Sequence, residues 1–145
     1  MSPSGAPVVF LDANVLFSAC LGGEVFTTIL ELGLAGRVRL VTSGTCLQEA
    51  RRNLERKAPD RLARLDRLGS LVALLPRRRL PGELLAWAEG IVGSRDAHVL
   101  ATARAVGAGY LVTGDTRDFG RVLGTEIDTL RVRTPRSFVV ELAAS

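Results

Sequence analysis

A parallel α/β sheet covered by helices on both faces is the fold class this sequence predicts. Three observations predict it. Short apolar runs rich in valine and leucine alternate with helical patterns of about 10–15 residues. The length of 145 residues fits one domain over 1–145. A hydrophobic content of 47% and a mean hydropathy of +0.23 supply a core and exclude a disordered chain.

Residues 7–11 (PVVFL) form an apolar run that ends at Asp12 and reads as a buried strand. A helical pattern follows from Asn14 to Leu34, with Gly22–Gly23 as the break between two pieces. Residues 38–42 (VRLVT) read as a second strand, and Ser43 as the N-cap of a helix from Gly44 to Lys57. Pro59 breaks the chain into a further helix over 60–68, and residues 71–75 (LVALL) make a third strand. A helix over 81–92 carries Pro81 in its first turn. Ser94 can cap the next helix, from Arg95 to Val106. Residues 110–113 (YLVT) are a fourth strand, 116–130 a loop with a short helix, and 130–132 a last strand. Thr134 caps a closing helix over 135–142, with Pro135 at its first position. The chain has no internal repeat, low-complexity tract or linker.

Net charge is +4, with a sequence pI near 10.0, and Lys57 is the only lysine. Arginine pairs bidentately with phosphate, so this balance suits a nucleic-acid partner as well as an ordinary solvated surface. Cys20 and Cys46 lack metal-ligand or redox spacing and read as reduced, partly buried thiols. The N-terminal segment has no basic leader, and no apolar run reaches the roughly 20 residues of a membrane helix. A soluble, cytoplasmic protein is expected.

In parallel α/β sheets, ligands bind beyond the carboxyl ends of the strands. Asp12 ends the first strand and Asp115 follows the fourth. Asp96 lies in the first turn of the helix leading into the fourth strand, and Glu49 about two turns into the helix after the second. Carboxylates about 5 Å apart repel by about 3 kcal/mol per pair at an effective dielectric near 20. A divalent cation removes that penalty. Hard oxygen donors without a cysteine or histidine set favour Mg²⁺ or Mn²⁺ over zinc. Such an ion can activate water against a phosphodiester.

The segments FLDANVLFSA (10–19), LQEARRN (47–53), RDAHVLATA (95–103) and YLVTGDTRDF (110–119) together resemble the PIN-domain family, in order and in spacing. The resemblance runs from about residue 7 to 142 and is closest to the small prokaryotic members, many of them VapC-like toxins. It implies a three-layer α/β/α sandwich with a central, mostly parallel five-stranded sheet. It also implies Mg²⁺- or Mn²⁺-dependent cleavage of RNA, and often a protein antitoxin that blocks the site. Asp12, Glu49, Asp96 and Asp115 match the family's acidic quartet, which serves as catalytic and metal-binding set. Asn14 and Thr113 match its supporting polar positions, and Asp118 a further acidic position that is sometimes a ligand. Homodimers are common among similar proteins.

Each residue also has a plainer reading. Asp12 suits a helix N-cap, Asp96 a favourable partner for its helix dipole, and Asp115 and Asp118 a turn. Glu55 competes with Glu49 on one helix. His98, the only histidine, lies about 200° around the helix from Asp96 and reads as packed or partly exposed. Arg51, Arg52 and Arg56 can flank the crevice and meet RNA phosphates, whereas Arg77–Arg79 form a solvated turn or a partner patch. Trp87 belongs to an apolar stripe with Leu84, Leu85 and Ile91.

Related acidic α/β proteins fail on residues. A dehalogenase-like phosphatase needs D-x-D where this chain has Asp12-Ala13-Asn14. A receiver domain needs a late lysine, and a dinucleotide-binding domain needs a glycine-rich first turn. Two rivals stand: a non-catalytic PIN module that binds RNA or protein, and a housekeeping RNA-processing nuclease.

Overall fold

The computed structural model describes residues 5–144. Residues 1–4, on which part of the leader expectation rests, lie outside the described residues. Six strands form one sheet: β1 (Val8–Leu11), β2 (Arg39–Thr42), β3 (Ala73–Leu74), β4 (Tyr110–Val112), β5 (Glu126–Ile127) and β6 (Leu130–Arg133). Their order is β3-β2-β1-β4-β6-β5, parallel throughout except for the β5–β6 pair. The helices that flank it are α1 (Ala13–Leu21), α2 (Glu24–Leu34), α3 (Gly44–Lys57), α4 (Leu62–Leu68), α5 (Gly82–Val92), α6 (Ala97–Ala105) and α7 (Pro135–Ala144).

The central strands are continuous hydrophobic runs because helices cover both of their faces. Val9, Phe10, Leu111, Val112 and Val132 have no exposed surface. Helix α1 packs on α3 and α4, α2 on α7, and α5 on α6. Glu141 of α7 ties its helix to the sheet. Its Oε2 accepts from the Tyr110 hydroxyl at 2.8 Å and its Oε1 from Arg133 Nε at 2.7 Å.

Local chemistry explains the helix ends. Ser43 accepts from Cys46 N at 3.2 Å and starts α3. Thr134 Oγ1 accepts from Ser137 N, while Ser137 Oγ accepts from Thr134 N, a reciprocal cap on α7. The helical stretch after β1 breaks where expected. Gly22 (φ 101°) and Gly23 (φ 114°) lie where only glycine is comfortable, and α1 and α2 meet there at 107°. Among the described residues no single helix is long and apolar enough to cross a membrane.

The sheet has six strands rather than five. Glu126 pairs with Arg131 and Ile127 with Leu130, so the expected loop closes as a hairpin. Asp128 turns it at φ 57°, a left-handed conformation that aspartate tolerates better than most residues. No helix forms between 116 and 124, where the chain runs in turns. Strand β3 is shorter than 71–75, because Leu71 N and Val72 N still bond the Leu68 carbonyl at the end of α4. A 3₁₀ turn, Pro59–Arg61, precedes α4. Pro81 sits just outside α5, at its N-cap. Helix α6 begins at Ala97, two residues later than expected, so Ser94 does not cap it and Asp96 holds the N-cap position.

Candidate metal centre

The chain crosses from β1 to β2 and β3 on one side and to β4 on the other, so the sheet reverses between β1 and β4. Crevices at the carboxyl ends of strands flanking such a reversal bind ligands, because the loops there diverge. Asp12 leaves β1 at that edge, and Thr113, Gly114 and Asp115 leave β4 beside it. Asp12 N donates to Val112 O at 3.1 Å and carries the pairing to the rim.

Asp12 is buried and held from four sides. Its Oδ1 accepts from Ala13 N at 2.7 Å and from the Cys46 thiol at 3.8 Å. Its Oδ2 accepts from Thr113 Oγ1 at 2.7 Å and from Asn14 Nδ2 at 3.2 Å. Burial raises its pKa, partly offset by the Thr113 and Ala13 hydrogen bonds, and the charges of Glu49 and Asp115 push it further up. The Cys46 thiol is pushed up to about 12, by burial first and by Asp12 next, so it stays protonated as a donor.

Thr113, fully buried, joins both strand ends: its Oγ1 accepts from Asp115 N at 3.1 Å while donating to Asp12. Asn14 Oδ1 accepts from Gly114 N at 2.7 Å. A side chain at Gly114 would place its Cβ 3.2 Å from that oxygen, so glycine lets the two segments close. Asp115 Oδ1 accepts from Arg117 N at 3.1 Å and Asp118 N at 3.0 Å. This turn brings Asp118 back towards the crevice.

Asp96 holds the N-cap of α6 but makes no capping hydrogen bond with its side chain. Its Oδ2 is buried and has no hydrogen-bond partner among the described residues. One carboxylate oxygen each from Asp96, Asp115 and Asp118 lies within 4.8 Å of the other two. Burial, then proximity to Asp118, Asp115 and Asp12, lifts the Asp96 pKa to about 8. Asp118 moves the other way, held ionised by its contact with Asp96 and by Arg95, whose Nη2 lies 3.1 Å from Asp118 Oδ2. The metal-free cluster therefore favours the protonated form of Asp96.

The sequence-expected residues thus divide. Asp96, Asp115 and Asp118 converge, while Asp12 and Glu49 stand outside that group of three. Asp12 still acts on Asp96 through its charge, and Glu49 is exposed on α3 within electrostatic reach of Asp12. Asn14 and Thr113 support Asp12 directly. Arg51 is paired with Asp66 at 3.0 Å and Arg56 with Asn53 at 3.1 Å, while Arg52 is exposed. Two neighbours were not foreseen as part of the site, Arg95 and Cys46. Adjacency to Asp96 and the position three residues before Glu49 were their signals in the sequence. Half-buried Trp87 lies under the Arg104 guanidinium, 4.3 Å from the ring centre.

An all-carboxylate cluster with a buried, unpartnered oxygen fits a hard divalent cation. It offers no sulfur or nitrogen donor among its members, so it does not fit a structural zinc site.

A family model described as PIN domain matches residues 8–117. The chain belongs to the PIN domain family. Solved structures agree on the fold. VapBC2 from Rickettsia felis, bound to a DNA fragment from the promoter, is 23% identical with a TM-score of 0.66, covering 88% of this chain and 98% of that one. PAE2754 from Pyrobaculum aerophilum is 18% identical at TM-score 0.66, covering 98% of both chains. VapC20 of Mycobacterium tuberculosis, a sarcin–ricin loop cleaving toxin, is 19% identical at TM-score 0.53, covering 78% of this chain and 93% of that one. Comparison with curated proteins finds no significant match.

Proposed function

We propose that this PIN-domain chain is a Mg²⁺- or Mn²⁺-dependent endoribonuclease, the toxin of a toxin–antitoxin pair. The observation that carries the reading is the convergence of Asp96, Asp115 and Asp118 around an unpartnered buried oxygen at the strand reversal. The likeness to VapC20, a sarcin–ricin loop cleaving toxin, and to VapBC2 supports the substrate class and the partner.

Asp96, Asp115 and Asp118 would hold the ion, with Asp12 and Glu49 completing the acidic wall. When bound, the cation supplies Lewis acidity to the phosphodiester and makes a water more acidic. Thr113 and Asn14 orient Asp12. Asp115 keeps Oδ2 available because its turn uses only Oδ1. Arg95 is exposed and paired only at the surface, so its guanidinium can leave Asp118 for a substrate phosphate at small cost. Hydrolysis adds water across a phosphorus–oxygen bond, and the acidic wall can take up the released proton.

Labelled single-stranded RNAs incubated with EDTA, Mg²⁺ or Mn²⁺ test the reading. Metal-dependent cutting that disappears in both Asp12→Ala and Asp96→Asn supports it. Absence of cutting with every metal, with bound RNA still detected, would favour a non-catalytic RNA-binding module. A homodimer is part of the proposal, and sedimentation of the purified chain checks it.

A further inference from the structure

Apart from the acidic cluster, the chain has a second feature of opposite character. A cavity of about 550 Å³ opens between α3, α6 and the segment after β3. His98 and Thr102, one turn apart on α6, form one wall, and Gln48 of α3 another. Leu75 lines its apolar part, and Arg77 and Arg78 stand at the segment that borders it. No carboxylate lines it. Both arginines are exposed, and neither enters an ion pair among the described residues, although Arg78 Nη1 donates to Ala105 O at 3.4 Å. In sequence, Gln48 precedes Glu49 on α3, and His98 lies two residues beyond Asp96, the N-cap of α6.

These groups match the parts of a nucleotide. Leucine side chains and an imidazole offer a flat base something to stack on. A glutamine amide and a threonine hydroxyl can meet the hydrogen-bonding edge of a base. Guanidinium groups outside any ion pair can meet phosphate. We propose that this cavity is a nucleobase-binding subsite, which seats one base of the strand next to the cleaved phosphate. Gln48 and Thr102 read the base, and Arg77 and Arg78 hold its phosphate. The assignment to the cleaved strand rests on the ribonuclease reading above; binding of the base does not.

His98 is the only histidine, so its imidazole signals report the cavity without assignment. The metal-free protein is titrated by NMR with the four 5′-ribonucleoside monophosphates, with ribose 5-phosphate and with an acidic peptide. The expected result is a saturable shift of the His98 signals with at least one nucleotide and none with ribose 5-phosphate. Replacing Arg77 and Arg78 together by alanine should weaken that binding about tenfold, the loss of roughly one charge-assisted contact. Gln48→Ala and Thr102→Ala should change which nucleotide is preferred, and which RNA bond is cut, while Mn²⁺ binding is retained. A shift with ribose 5-phosphate alone, no shift with any nucleotide, or a shift only with the peptide each overturns the subsite. RNA cutting without a His98 shift removes the subsite and leaves the ribonuclease. A His98 shift without RNA cutting removes the ribonuclease and leaves a nucleotide site.

Discussion

Thr113 does the most with one atom. Its hydroxyl donates to Asp12 and accepts from the Asp115 backbone, so one oxygen sets the spacing of two strand ends. Thr113→Val keeps the shape and removes the hydroxyl, leaving buried polar groups unpaired. Stability should fall by about 1–3 kcal/mol in denaturant unfolding. Mn²⁺ affinity should fall about tenfold, as for other groups that orient ligands. Unchanged values for both would mean that Asp12 is positioned by something else. Asp96 permits a sharper test. A carboxyl whose pKa rises on folding contributes stability that is present below its unfolded value, near 4, and is lost as pH rises through its folded value, about 8. Asparagine mimics the protonated form at every pH. The metal-free Asp96→Asn protein should therefore melt with the wild type near about pH 5 and increasingly above it towards about pH 9. Thermal scans across that range read the difference, and a gain that ignores pH contradicts the clustering of the three aspartates.

At the scale of elements, the start of α6 positions Asp96, and the junction of α1 with α2 sets the angle between two packed helices. Asp96 was legible as a candidate because it opens a helix before a strand. That it occupies the N-cap without capping was not legible, since a boundary shift of two residues lies within the ordinary ambiguity of helix ends. Asp118 was a candidate through the family resemblance, while its return depends on Asp115 accepting from two backbone amides in a tight turn. Ser43, Thr134 and the Gly22–Gly23 break could be read directly, because each acts through its immediate neighbours. The break carries its own prediction. Gly23, at φ 114° and ψ 151°, lies where a Cβ is strained. Gly23→Ala should cost about 1–3 kcal/mol in chemical denaturation. A neutral result would show that the angle between α1 and α2 is not held by that residue.

For the whole molecule, five parallel strands were readable because each is a short apolar run bounded by turn residues. Strand β5 was not. Two residues, one of them charged, show no period, and they pair only because β6 offers an edge and Asp128 turns the chain. Strand order was invisible as well, since periodicity says nothing about which strands are neighbours. The order matters most for the site, because it sets Asp12 and Asp115 on either side of the reversal. Asp96 and Asp118 close on Asp115, and like charges gathered in this way call for a cation. Calorimetric titration of Mn²⁺ into the metal-free protein near pH 7, in two buffers of different ionisation enthalpy, tests that claim most directly. The clustered site predicts binding that releases close to one proton, the one held by Asp96, and loss of binding in Asp115→Asn. No binding heat, or binding that both Asp96→Asn and Asp115→Asn leave unchanged from the wild type, would contradict it.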